Sequence, residues 1–150
     1  MKIAIIGYGK MGKAIEEIAI SRGHEIVAKL SSKSELEEIP NITDVAIEFT
    51  NPESASKNIN YCINHKIPCV IGTTGWYDEF DAISKLTSEK NTAILHATNF
   101  SIGVNIFFLI NQKLAEIMQH QTDYKLEITE VHHTQKLDAP SGTAITTAEG

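Results

Sequence analysis

Short apolar runs alternate with amphipathic spans from the first residue onward. Residues 2–6 (Lys-Ile-Ala-Ile-Ile) predict a strand that stops at Gly7. Residues 10–22 place Met11, Ala14, Ile15, Ile18 and Ala19 at helical spacing, and Arg22-Gly23 is a helix stop. A second strand is predicted over 25–30, followed by a polar, irregular stretch at 31–43 with a short helical turn near Glu35 to Glu38. Val45 to Phe49 reads as the third strand, and Pro52 opens a helix to about Asn64. Pro68 to Ile71 gives a fourth strand, then a helix near 78–90 and a fifth strand at 92–96. Strands separated by helices of this length predict a parallel sheet covered on both faces.

The pattern changes after Asn99. Ser101 is placed to cap a long helix whose buried stripe would be Ile102, Ile106, Leu109, Ile110, Leu114 and Ile117. Tyr124, Leu126 and Ile128 then alternate with Lys125, Glu127 and Thr129, the period of a half-solvated strand, over 124–131, in a different sheet. A boundary near residues 97–103 is expected, with one continuous sheet as the alternative.

Gly7-Tyr8-Gly9-Lys10-Met11-Gly12 is a GxGxxG that directly follows an apolar strand and opens an amphipathic helix. That context is what dinucleotide binding requires. The first glycine allows the tight turn, the second admits the pyrophosphate to the backbone, and the third lets helix pack on strand. The six residues Gly7, Tyr8, Gly9, Lys10, Met11 and Gly12 are therefore candidate cofactor contacts, with the helix N-terminus offering free amides to phosphate. The expected fold is α/β. A Rossmann-type parallel sheet spans residues 1–100, and a second, α+β substrate-binding domain begins in 101–150.

An NAD-only site usually has an acid at the end of the second strand, about 20 residues past the glycines. Here that strand ends in Leu30-Ser31-Ser32-Lys33. Ser31, Ser32 and Lys33 suit a 2′-phosphate, so NADPH is expected to be accepted, alongside or in preference to NADH. Further cofactor contacts are expected at the carboxyl ends of later strands. These are Phe49 and Thr50 after the third, Gly72, Thr73 and Thr74 after the fourth, and Ala97, Thr98, Asn99 and Phe100 after the fifth.

The stretch from Glu130 to Thr143 holds three titratable groups, His132, His133 and Lys136, followed by Pro140-Ser141-Gly142-Thr143. Pro140 reads as the preset first turn of a helix. Amides of Gly142 and Thr143 are suited to grip a carboxylate, with Lys136 adding a positive charge. In a strand, His132 and His133 would face opposite sides and serve different roles, proton transfer being the natural one for an imidazole. Adjacent histidines also suit a metal, but no Cys or acid stands at a usual ligand spacing, and none is expected.

Composition narrows the field. A formal net charge of −6 argues against nucleic acid as a partner and leaves anionic ligands to local features. No run approaches the roughly 18 apolar residues of a membrane span, and the N-terminus reads as a strand rather than a signal peptide. Cys62 and Cys69 are expected to be reduced thiols of a cytoplasmic protein.

The glycine loop, Phe49-Thr50, Gly72-Thr-Thr-Gly75, Asn99 to Asn105 and Glu130 to Thr143 together resemble one family. It is the 4-hydroxy-tetrahydrodipicolinate reductases, also called dihydrodipicolinate reductases, of bacterial lysine and diaminopimelate biosynthesis. The most specific part is HHxxKxDAPSGTA, ending at Ala144. The resemblance implies hydride transfer from NADPH or NADH to a cyclic dicarboxylate imine. It implies His132 as general acid/base, Lys136 as second proton donor or electrophilic partner, His133 as a substrate contact, and Gly142 and Thr143 as the carboxylate grip. It also implies a homotetramer and a longer protein, so that a chain ending at Gly150 is expected to be recorded only in part. The family usually has an acid where Ser31 stands, followed by a basic residue, which leaves the nucleotide preference open. The rival readings are a nucleotide-binding module without turnover and, against the His-His-x-x-Lys segment, a semialdehyde or homoserine dehydrogenase.

Overall fold

The computed structural model describes residues 1–132, 134 and 139–150. Two compact units make up the chain, Met1–Ala97 and Thr98–Gly150.

The first unit is a five-stranded parallel sheet in the order β2-β1-β3-β4-β5. Its elements are β1 (Lys2–Ile6), α1 (Lys10–Ser21), β2 (Glu25–Leu30), β3 (Val45–Glu48), α2 (Pro52–Asn64), β4 (Cys69–Ile71), α3 (Phe80–Glu89) and β5 (Ile94–His96). Short 3₁₀ turns occupy Leu36–Glu38 and Tyr77–Glu79. Central β1 explains the architecture. Its four apolar residues, Ile3 to Ile6, are all buried, as a strand covered on both faces must be. Side chains alternate between faces. Ala4 and Ile6 therefore join a core with Ala55, Ile59 and Ile63 of α2, while Ile3 and Ile5 pack with Ala19 of α1.

From β1 the chain runs outward to β2, then crosses to β3 on the other side. The strand order reverses between β1 and β3, and the crevice outside their carboxyl ends is where such sheets bind ligands.

Helix α1 departs from the predicted face. Gly12 and Ala19 are buried and Ile15 is half-buried, whereas Met11, Ala14 and Ile18 are exposed. Gly12 is the cause. A Cβ there would lie 2.4 Å from the Gly7 carbonyl oxygen and 3.2 Å from Ile5. The helix thus meets β1 through its glycine side and turns the bulkier neighbours outward. Cys62 on α2 and Cys69 on β4 are buried free thiols, and a hydrogen bond to Cys62 together with burial pushes the Cys69 thiol well up.

The second unit contains α4 (Ile102–Met118) and α5 (Gly142–Glu149). Ser101 caps α4 as expected, its hydroxyl accepting from the Val104 amide at 3.5 Å. The predicted stripe is not buried: Ile102, Ile106, Leu109, Ile110, Leu114 and Ile117 are all more than half exposed. Nor do residues 124–131 form the predicted strand. Alternation supplies a face, but a strand also needs a hydrogen-bonding partner, and among the described residues none pairs with this segment. Helix α5 begins two residues later than Pro140 suggested. Ser141 is the cap, its hydroxyl accepting from the Ala144 amide at 3.0 Å, so Pro140 precedes the helix. No helix among the described residues is long and apolar enough to cross a membrane.

Candidate functional site

In the first unit a cavity of about 470 Å³ opens at the strand-order reversal. Small-molecule sites fall at roughly 300–1,000 Å³. The carboxyl ends of three strands wall it: Ile6, Gly7, Tyr8 and Gly9 beyond β1, Leu30, Ser31 and Ser32 beyond β2, and Phe49 and Thr50 beyond β3.

The glycine loop divides its labour. Gly7 has a φ of +99°, and a Cβ on it would sit 1.9 Å from the Phe49 carbonyl oxygen. Only glycine satisfies both demands. Gly9 is the opposite case, with nothing within 4 Å of the place a Cβ would occupy, so open space meets the backbone there. The amides of Gly7 and Tyr8 both donate to the Leu30 carbonyl, at 2.9 and 2.8 Å. They are spent on holding the loop to β2. The donors left for an anion are those of Lys10, Met11 and Gly12, the first α1 amides, which have no acceptor one turn back. The Tyr8 hydroxyl is committed as well: it donates to Glu16 on α1, whose carboxylate also receives Lys29 of β2 at 3.1 Å. These two hydrogen bonds hold Glu16 below the usual carboxylate range, and the bond to Glu16 raises the Tyr8 hydroxyl.

The floor under Phe49 and Thr50 is polar and buried. Glu48 is fully buried at the end of β3, and its Oε1 accepts from the Thr50 hydroxyl and from Asn58 Nδ2 at 3.3 Å. Its Oε2 has no hydrogen-bond partner among the described residues. The Thr50 amide donates to Thr73 Oγ1 at 2.8 Å, so Thr73 supports the floor from behind without lining the cavity.

Several expected cofactor residues therefore meet in one place: Gly7, Tyr8, Gly9, Ser31, Ser32, Phe49 and Thr50. Lys10, Met11, Gly12, Lys33, Gly72, Thr73, Thr74, Ala97, Thr98, Asn99 and Phe100 are not in the cavity wall. Thr98 and Asn99 belong to the second unit, where Thr98 Oγ1 lies 3.0 Å from Thr146 Oγ1 and Asn99 Nδ2 lies 3.4 Å from Thr143 Oγ1. The wall also holds residues the sequence reading missed: Ser34 and Glu35 beyond β2, and Asn51, Ser54, Lys57 and Asn58 from α2. Their signal was available. Positions 51, 54 and 58 share one helical face that begins where β3 ends. Lys57, rather than Lys33, is the lysine in the wall, and it has no ion-pairing carboxylate among the described residues.

In the second unit, Glu130 draws three donors to one carboxylate. Its Oε1 accepts from the Ser141 amide at 2.9 Å, and its Oε2 accepts from the Ser141 hydroxyl at 2.6 Å. His132 Nε2 lies 2.7 Å from the same Oε2. The Ser141 hydroxyl foremost, then His132 and the Ser141 amide, hold the Glu130 carboxyl down at about 2. His133 and Lys136 lie outside the described residues. Gly142 and Thr143 occupy the first turn of α5, where their amides have no helical acceptor. Among the described residues no group of three His, Cys, Asp or Glu is arranged to hold a metal.

Comparison with known proteins gives one consistent result. Residues 1–100 match the family described as dihydrodipicolinate reductase, N-terminus, and residues 103–150 match dihydrodipicolinate reductase, C-terminus. The chain is 50% identical over 150 residues to a 4-hydroxy-tetrahydrodipicolinate reductase of Christiangramia forsetii, covering 99% of this chain and 63% of the relative. A protein of the same name from Corynebacterium diphtheriae is 36% identical over 155 residues, covering 100% of this chain and 60% of the relative. The chain thus spans somewhat under two thirds of the length of these relatives. Among solved structures, a dipicolinate-bound dihydrodipicolinate reductase from Paenisporosarcina sp. TG-14 is similar at a TM-score of 0.72 and 30% identity. That match covers 99% of this chain and 64% of the other.

Proposed function

The chain belongs to the dihydrodipicolinate reductase family, and on that premise we propose that it carries the nucleotide site and the acid–base segment of a 4-hydroxy-tetrahydrodipicolinate reductase. The reaction is the NADPH- or NADH-dependent reduction of 4-hydroxy-tetrahydrodipicolinate to tetrahydrodipicolinate, in lysine and diaminopimelate biosynthesis. The observation that carries the reading is the cavity at the strand-order reversal, with the backbone of Gly9 open to it.

Residues 1–100 are assigned to dinucleotide binding. The amides of Lys10, Met11 and Gly12 receive the pyrophosphate, with Gly9 admitting it to the backbone. Ser31 and Ser32, joined by Lys57, face the ribose and its 2′-phosphate, and Phe49 and Thr50 form the shelf toward the nicotinamide. When bound, the reduced nicotinamide supplies the hydride. Residues 101–150 are assigned to the start of the substrate-binding and oligomerisation domain of a cytoplasmic homotetramer. The exposed apolar stripe of α4 supports this reading, because a stripe of that kind on a soluble helix marks a contact surface.

The substrate is a small dicarboxylate, and a relative with dipicolinate bound supports that class. The α5 amides of Gly142 and Thr143 bind one carboxylate and His133 contacts the ring. His132 donates the proton that completes reduction, with Lys136 as second donor or electrophile. A positioned acid of this kind contributes about 10²–10⁴-fold. His132→Ala is therefore expected to keep NADPH affinity and lose kcat by about that factor. The test follows nicotinamide absorbance in full-length protein supplied with enzymatically generated substrate. Unchanged turnover would remove His132 from the mechanism.

A further inference from the structure

Glu130 has no role in the assignments above, yet it receives more hydrogen bonds than any other carboxylate of the second unit's described residues. We propose that Glu130 is a positioning residue that fixes the His132 ring with Nε2–H toward its carboxylate and Nδ1 outward, making Nδ1 the atom that exchanges the proton with substrate. The proposal rests on the reading of His132 as the acid and adds which nitrogen acts and what orients it.

The geometry leads there in three steps. An ionised carboxylate is an acceptor only, so a ring nitrogen 2.7 Å from Glu130 Oε2 must carry the hydrogen. In the neutral imidazole that leaves Nδ1 bare; in the imidazolium it leaves Nδ1–H as the proton not engaged by Glu130. Next, Glu130 is itself immobilised. Ser141 is 2% exposed, caps α5, and grips both carboxylate oxygens through its amide and hydroxyl. The ring is thus referenced to the end of a helix rather than to a loop. Finally, the same carboxylate ties His132 to the α5 terminus whose next two amides are assigned to the substrate carboxylate. One anchor sets the spacing between proton donor and anion grip, and orientation of this kind is a recognised source of rate.

Two readouts separate this role from plain support of α5. The first needs no variant. With histidine labelled in 15N, full-length protein at a pH where the ring is neutral is expected to show His132 as the Nε2–H tautomer. An Nδ1–H tautomer would overturn the proposal. The second is a double-mutant cycle on kcat. Glu130→Gln is expected to lower kcat about 10–100-fold while NADPH affinity holds. That is less than the ~10⁴ of a buried triad aspartate, because the His132 and Glu130 side chains remain 34% and 27% exposed. On a His132→Ala background the same change is expected to cost less than about twofold, since the group it orients is gone. An equal cost in both backgrounds would mean that Glu130 only holds the helix. If His132→Ala is inactive and Glu130→Gln is as fast as the parent, this proposal alone fails. If His132→Ala turns over normally, the underlying acid assignment fails first and takes this one with it.

Discussion

Residues 3–6 of β1 and the stripe from Ile102 to Ile117 on α4 are equally apolar, yet the first run is at most 5% exposed and the second at least 51%. The difference lies in what stands opposite. Strand β1 has hydrogen-bonded neighbours on both edges and helices on both faces, so its side chains lose contact with water. Helix α4 has a cap and a well-formed turn but buries none of its residues. Local chemistry suffices to make a helix start; burial is a property of pairs of elements. The first unit therefore owes its stability to its core, whereas the second holds its shape largely by polar contacts. Among these are Ser101 at the α4 cap, the Asn105 side chain on the Asn99 and Ser101 carbonyls at 3.0 and 2.8 Å, and Glu130 on Ser141.

That contrast is open to attack by substitution. Ile59 is fully buried on α2, and Ile59→Ala is expected to cost about 2–5 kcal/mol in urea unfolding of residues 1–150. Leu114 lies on the α4 stripe, and Leu114→Ala is expected to stay within about 0.5 kcal/mol. Equal losses would mean that α4 is covered after all.

A smaller effect concerns the cavity wall. Lys57→Gln is expected to weaken NADPH about tenfold, near 1.4 kcal/mol, and to leave NADH unchanged, because only the former carries the 2′-phosphate. Parallel losses for both nucleotides, measured by calorimetry, would relocate that phosphate away from α2.

The smallest and most local effect is acid sensitivity in the second unit. Glu130 is held at about 2 against an ordinary 4.5, so the folded contact favours the ionised form. A depressed carboxyl stabilises fully above its unfolded value and loses that contribution as pH falls through its folded one. The Glu130–Ser141 clasp is thus expected to be intact above about pH 4.5 and to open progressively toward pH 2. The Ser141 amide resonance reports this directly. An ordinary midpoint near 4.5 would show that the clasp is not formed in solution.

Much of the first unit was readable in the sequence because its signals are local. The strand at 25–30, the Pro52 helix and the glycine loop each announce themselves within a few residues. The phase of α1 did not, since Gly12 carries no hydrophobicity and yet sets the buried face by letting the backbone approach Gly7. The strand expected at 124–131 failed for a related reason: alternation reports a face, while pairing depends on a partner elsewhere in the chain. At the site, Lys57 was not legible as a cofactor contact because it lies on α2, which completes the wall from a different strand end than the loop after β2. Glu130 was half legible. Two residues before His132 in an extended chain, it shares that residue's side, but its bond to Ser141, eleven positions on, could only come from the fold.

The central claim is that the cavity at the ends of β1, β2 and β3 holds a nicotinamide dinucleotide. NADPH titrated into the protein while backbone amide resonances are followed tests it most directly. Shifts are expected to concentrate at Gly9, Lys10, Met11 and Gly12, with Ser31, Ser32 and Thr50, and to vanish in Gly9→Val, a variant whose added side chain enters open space and should leave the fold intact. Saturable binding that leaves those residues unmoved, or that persists unchanged in Gly9→Val, would contradict the account.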